Sequence, residues 1–161
     1  MAVVETGVTE SDLRPLDAAL AELLAAGETL ETARAHYVEG AVDSERSRRA
    51  NRILIGIERR LTRPTGPFGD GRARGLTFAS DPRNGYATLA LPGIATAVRE
   101  KDRARTRLEV LDLANRLRSA AAEAREAARI LAGGSPGTAP SGTFSHPARR
   151  ADPPAEEVDA W

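Results

Sequence analysis

The chain has 161 residues, 41% of them hydrophobic and only 4% aromatic, with 23 basic side chains balanced by 23 acidic ones. That length holds one domain, or one domain plus a tail, and an apolar set rich in alanine suits packed helices better than the core of a β-sandwich. The lack of cysteine excludes disulfides, thiolate metal sites and thiol catalysis; with no bilayer-length apolar run and no export-type start, a cytoplasmic protein with no membrane contact is expected.

Residues 1–8 read as a flexible arm. A first helix is expected from Asp12 to Ala26, capped by Asp12, with Pro15 near its start and Gly27 just past its end. Leu13, Leu16, Leu20 and Leu23 form its apolar stripe. A second helical stretch opens near Thr29 and stops before Pro64. Leu30, Ala33, Tyr37 and Ala41 face one way at its start, and Ile53, Leu54, Ile57 and Leu61 at its end. Between them, Gly40 and the wholly polar run Asp43–Arg49 leave two readings open, one helix or two.

Residues 64–75 form a Gly/Pro-rich connector. Gly66 to Gly75 lacks the Gly-Lys-Ser/Thr ending of a phosphate-binding loop, and it precedes a strand rather than a helix. Leu76–Ala79 and Tyr86–Leu91 flank Asp81-Pro82-Arg83-Asn84-Gly85, which predicts a β-hairpin over about 75–91, turning at the Asn-Gly pair. Pro92-Gly93 ends it, and a single long helix is expected from Ile94 to Ala132. Within that helix Val110, Leu113, Leu117, Ala120, Ala124, Ala127 and Leu131 keep a three-and-four spacing, the seam of a coiled coil or bundle. From 133 to 161 the chain is rich in Pro, Gly and Ser and then acidic, which predicts a disordered tail. The fold class is therefore mainly α: a helical bundle or long helical hairpin over 9–132, with one inserted β-hairpin.

The balanced charge is segregated. Residues 1–43 carry two basic against nine acidic side chains, a net of −7. Residues 44–107 carry fifteen against six, a net of +9, and residues 108–161 carry six against eight, a net of −2. At 100° per residue, Arg48, Arg52, Arg59 and Arg63 share one side of a helix, opposite Ile53, Ile57 and Leu61. Arg46 and Arg49 fall on the apolar side, where an acidic structural partner is expected. Arg72, Arg74 and Arg83 lie on the loop and hairpin, and Arg99, Lys101, Arg103, Arg105 and Arg107 follow.

Such a surface suits phosphate backbones, because each neutralised phosphate releases counterions. Nucleic acid is the expected partner, through Arg48, Arg52, Arg59, Arg63, Arg72, Arg74 and Arg83. The competing expectation is that the arginines of the basic middle are solvated, or pair internally with the acidic N-terminal segment lying along them.

Neither His36 nor His146 belongs to a ligand cluster, no serine sits in a nucleophile elbow, and no carboxylates are marked as an acid–base pair. The expectation is a non-enzymatic protein without metal or cofactor. Arg74-Gly75-Leu76 through Tyr86-Ala87, with Leu89-Ala90-Leu91 and on to about residue 95, resembles the wing of multiple-antibiotic-resistance-type regulators. That resemblance implies a DNA-contacting hairpin followed by a dimerising helix. The upstream chain departs from the family: Arg46 and Arg49 stand where its helix-turn-helix needs apolar residues, and the loop at 64–73 is extra.

The alternative function is a helical assembly or adaptor protein, such as a phage, plasmid or secretion-system component. It would form a homo-oligomer or bind protein through the 110–131 seam. The acidic tail ending in Trp161 offers a second route to a protein partner.

Overall fold

The computed structural model describes residues 7–134 other than 41, 70 and 72. The expected arm, except for Gly7 and Val8, and the tail from 135 lie outside the described residues, as does Arg72. The order is α1 (Glu10–Glu39), α2 (Ser44–Arg60), β1 (Phe78–Asp81), β2 (Asn84–Ala90), α3 (Pro92–Arg99) and α4 (Arg103–Leu131). The fold is mainly helical with one antiparallel hairpin, as the composition and spacing predict.

Helix α4 is the spine, against which α1, α2 and α3 all pack. Contacts along its length set the direction of its neighbours. Asp12 meets Arg103 and Arg107, Glu22 meets Arg118, and Ala26 packs near Ala121 and Ala124, so α1 runs parallel to α4. Arg46 reaches the Leu131 carbonyl, Arg60 meets Glu123, and Arg63 meets Glu109, so α2 runs antiparallel.

The first helix extends well beyond its expected end. It begins earlier, with Thr9 at the N-cap: the Thr9 backbone N–H and hydroxyl both donate to Asp12 Oδ2 at 2.9 Å. Asp12 is thus the third helical residue rather than the cap. The helix also passes through Gly27. Glycine costs a helix interior about 1 kcal/mol, but the buried or half-buried stripe Leu16, Ala19, Leu23, Ala26, Leu30, Ala33, Tyr37 continues across it. Packing on both sides of Gly27 outweighs that local cost. The break comes at Gly40, and α2 restarts where Asp43 Oδ1 accepts from the backbone N–H of Glu45 and Arg46. The Tyr37 hydroxyl donates to the Asp43 carbonyl across this corner.

The hairpin turns at Pro82-Arg83, with Asp81 opposite Asn84, so Asn84-Gly85 lies in β2 and not in the turn. The Arg83 N–H donates to Asp81 Oδ1 at 2.9 Å, and proline pre-sets the turn angle. The register shifts between Ser80 and Asp81, a bulge. The long helix expected from Ile94 is in fact two. Lys101 takes a left-handed φ of 60°, and Asp102 caps a new helix by accepting from Arg105 N–H.

The 62–75 loop is closed at its base. A bridge joins Thr62 to Gly75, Arg63 N–H donates to the Arg74 carbonyl and Leu76 N–H to the Leu61 carbonyl. Pro67 is fully buried. The Gly/Pro-rich connector is thus tied at its base to the body of the protein.

Candidate interaction surface

Three surface features decide what this fold can do: the arginines, the seam of α4, and the apolar side chains left outside the core. The arginines divide into paired and exposed sets. Arg63 Nη2 lies 3.0 Å from Glu109, its Nη1 lies 3.4 Å from Asp112, and its Nε donates to the Gly66 carbonyl. Arg116 bonds Asp112 and the carbonyls of Arg60 and Thr62. Arg63 is thus a clamp between the loop and α4, and its place in the expected nucleic-acid stripe is corrected. Arg60 pairs with Glu123, Arg99 with Asp81, Arg105 with Glu100, and Arg46 with Asp43.

Part of the internal pairing foreseen for the acidic N-terminal segment is present. Asp12 is buried and receives Arg107 Nε at 2.5 Å and Arg103 Nε at 3.0 Å. The Thr9 N–H, followed by the Arg107 guanidinium, holds the Asp12 carboxyl well below its ordinary range, and burial opposes this only partly. Arg48, Arg52 and Arg59 remain exposed on α2, and Arg74 and Arg83 are exposed on the loop and hairpin. None of these five pairs with a described acidic residue.

The seam is where expectation and structure part most clearly. Val110, Leu113, Leu117, Ala120, Ala124, Ala127 and Leu131 are all buried. They are covered by Leu16, Ala19, Leu23, Ala26 and Leu30 of α1 and by Ala50, Ile53 and Ile57 of α2. The reading of these residues as an oligomer seam is therefore corrected, since one chain covers them. Alanine makes this possible: with no side chain beyond Cβ, α1 and α2 both come close to α4 over its second half.

Other apolar groups are left outside. Leu20 is 42% exposed, Leu24, Ile55, Phe78 and Leu108 are more exposed still, Leu111 is 45% exposed, and Tyr86 is fully exposed. Leu20 was expected in the α1 core stripe, and Ala19 takes its place. The signal was present in the spacing of Leu16, Ala19, Leu23 and Ala26, but leucine outweighs alanine in a reading by hydrophobicity. A shallow depression lined by Asp43, Glu45, Arg46, Arg49 and Ile130 mixes both charges. No cluster of metal-ligating side chains occurs among the described residues.

The family model of the transferrin receptor-like dimerisation domain matches residues 11–125. The chain belongs to the transferrin receptor-like dimerisation domain family. The match begins in the first turn of α1, includes the hairpin, and ends within α4. It is a different family from the regulators whose wing residues 74–95 resemble. No curated protein and no solved structure matches the chain. No helix among the described residues is long and apolar enough to cross a membrane.

Proposed function

We propose that this protein is a non-enzymatic dimerisation module, joining two copies of itself through a surface outside the α1–α2–α4 core. The observation that carries this reading is the family match over residues 11–125. It is supported by the exposed Leu20, Leu24, Leu108, Leu111, Phe78 and Tyr86, which lie within the matched span and find no cover among the described residues. Monomeric proteins expose single apolar side chains routinely, so the weight rests on the family and not on any one leucine. Light scattering or sedimentation of the purified chain tests the proposal. A mass of two chains that falls to one on dilution is expected; a single-chain mass at every concentration overturns it.

A second reading is favoured by the exposed arginines. Arg48, Arg52 and Arg59 project from one side of α2, and together they suit weak, salt-sensitive contact with a nucleic-acid backbone. Its test is duplex binding at low salt, with loss on replacing all three by glutamine. Undetectable binding at low salt, or binding insensitive to salt, overturns it.

A further inference from the structure

The β-hairpin is an unusual element for a helical protein. Two strands alone are marginally stable in water, yet along β2 every residue except Leu89 is exposed. Among the described residues no strand pairs with its outer edge: the sheet there has two strands, β1 and β2.

The backbone geometry shows which groups that edge presents. Leu91 N–H donates inward to the Thr77 carbonyl at 2.8 Å. Antiparallel pairing alternates inward and outward groups, so the regular ladder of Ala79↔Leu89 and Ser80↔Thr88 directs the backbone of Leu89 inward. The N–H and C=O of Thr88 and Ala90 are then directed to the open edge, with no backbone partner among the described residues.

Open edges are normally guarded by lysine, proline or an inward-pointing charge. This edge has none of these. Asn84-Gly85-Tyr86-Ala87-Thr88-Leu89-Ala90 contains no charged residue and no proline. The opposite edge, by contrast, belongs to a strand of only four residues that ends on Asp81, which pairs with Arg99.

We propose that the outer edge of β2 pairs antiparallel with β2 of a second copy, joining two hairpins into one four-stranded sheet across a two-fold axis. This inference rests on the dimerisation reading and names the surface. Three observations choose a second copy as the occupant. An antiparallel strand edge is complementary to itself, as a two-fold contact requires. The edge lacks the charge that would select an acidic or basic partner, and within the hairpin only Asp81 and Arg83 are charged. The exposed face beside it carries Phe78, Ser80, Thr88 and Ala90. Phe78 is an apolar group that a joined sheet extends with a second copy of itself.

Thr88→Pro is the sharpest perturbation. It deletes an outward N–H while leaving the inward ladder intact, the one setting in which a strand accepts proline. Thr88→Lys places a guarding charge at the same point. Both are expected to weaken dimerisation by about tenfold or more, with helical circular dichroism and monomer unfolding unchanged. In the native chain, hydrogen exchange at the Thr88 and Ala90 amides is expected to be slow at concentrations where the dimer forms and fast on dilution.

A dimer in which those amides exchange freely and Thr88→Pro pairs as well as the native chain overturns the strand-edge inference alone. A native chain that is monomeric throughout overturns the dimerisation reading with it.

Discussion

Truncating Leu117 to alanine separates a seam inside one chain from a seam between chains. Leu117 is 4% exposed and sits in the cluster of Leu16, Ala19, Leu76, Ile94, Val110 and Leu113. Removing its branched end loses the transfer free energy of the deleted carbons and leaves a cavity that rigid neighbouring helices close only partly, a cost of about 3 kcal/mol. For a domain of roughly 125 residues that corresponds to about 4 °C per kcal/mol, so a fall in Tm of roughly 12 °C is expected. Leu111 lies on the same helix but is 45% exposed, and its truncation is expected to cost under about 1 kcal/mol. Urea unfolding of both variants, at protein concentrations about a hundredfold apart, is the assay. Within one chain the Leu117→Ala loss is unimolecular and stays constant with concentration. A loss that vanishes on dilution while the helices persist would show Leu117 meeting a second chain, and would refute the intrachain seam.

Four further outcomes follow from the same contacts. Gly27→Ala should stabilise the protein by about 0.5–1 kcal/mol, because the site is an exposed helix interior where an added Cβ meets nothing within 4 Å; destabilisation in a thermal melt would contradict the continuous α1. Gly66→Ala should cost more than about 2 kcal/mol, since φ is +65° and the new Cβ would fall 1.8 Å from the Ala73 carbonyl oxygen; a neutral result by urea titration would show that the loop is not tied down. Arg63→Met should cost about 2 kcal/mol by leaving Glu109 and Asp112 short of a partner, less than a fully buried pair because Arg63 is 23% exposed; unchanged stability would remove it as the loop clamp.

Asp12→Asn bears on acid stability. The Asp12 carboxyl titrates lower in the folded protein than in the unfolded chain. Just below the unfolded value the unfolded chain therefore binds more protons, and acid destabilises the fold. The Asp12 contribution is complete above about pH 4 and declines as pH falls toward the folded pKa. The Tm gap between the native chain and Asp12→Asn should accordingly be constant near neutrality and narrow below pH 4; a gap that stays constant down to about pH 2 would show that the carboxylate charge is not what joins α1 to α4.

Much of the architecture is written in local chemistry. The α4 seam, the hairpin between Leu76 and Leu91, and the end of α4 at Gly133, with its φ of 90°, follow from spacing and turn residues. Local rules failed where packing competes with them. Gly27 stays helical because α4 holds the α1 stripe on both sides of it, and the single helix expected from Ile94 breaks because Lys101 adopts a conformation that nothing in its residue type announces. The candidate site was legible only in part. Exposed Arg48, Arg52 and Arg59 stand as the helical spacing placed them, but α2 ends at Arg60, so Arg63 leaves that stripe and turns inward to acids 46 and 49 residues away.

The sequence by itself determined the helical class, the inserted hairpin and the segregation of charge, because periodicity, turn chemistry and composition act between near neighbours. Tertiary structure alone decided that the α4 seam is filled by α1 and α2 of the same chain, and that no described strand pairs with the outer edge of β2. Which surfaces are satisfied within one chain depends on how closely distant helices approach, and here alanines at Ala19, Ala26, Ala121 and Ala124 set that distance. Small side chains carry little hydrophobic signal in sequence and yet control where backbones meet.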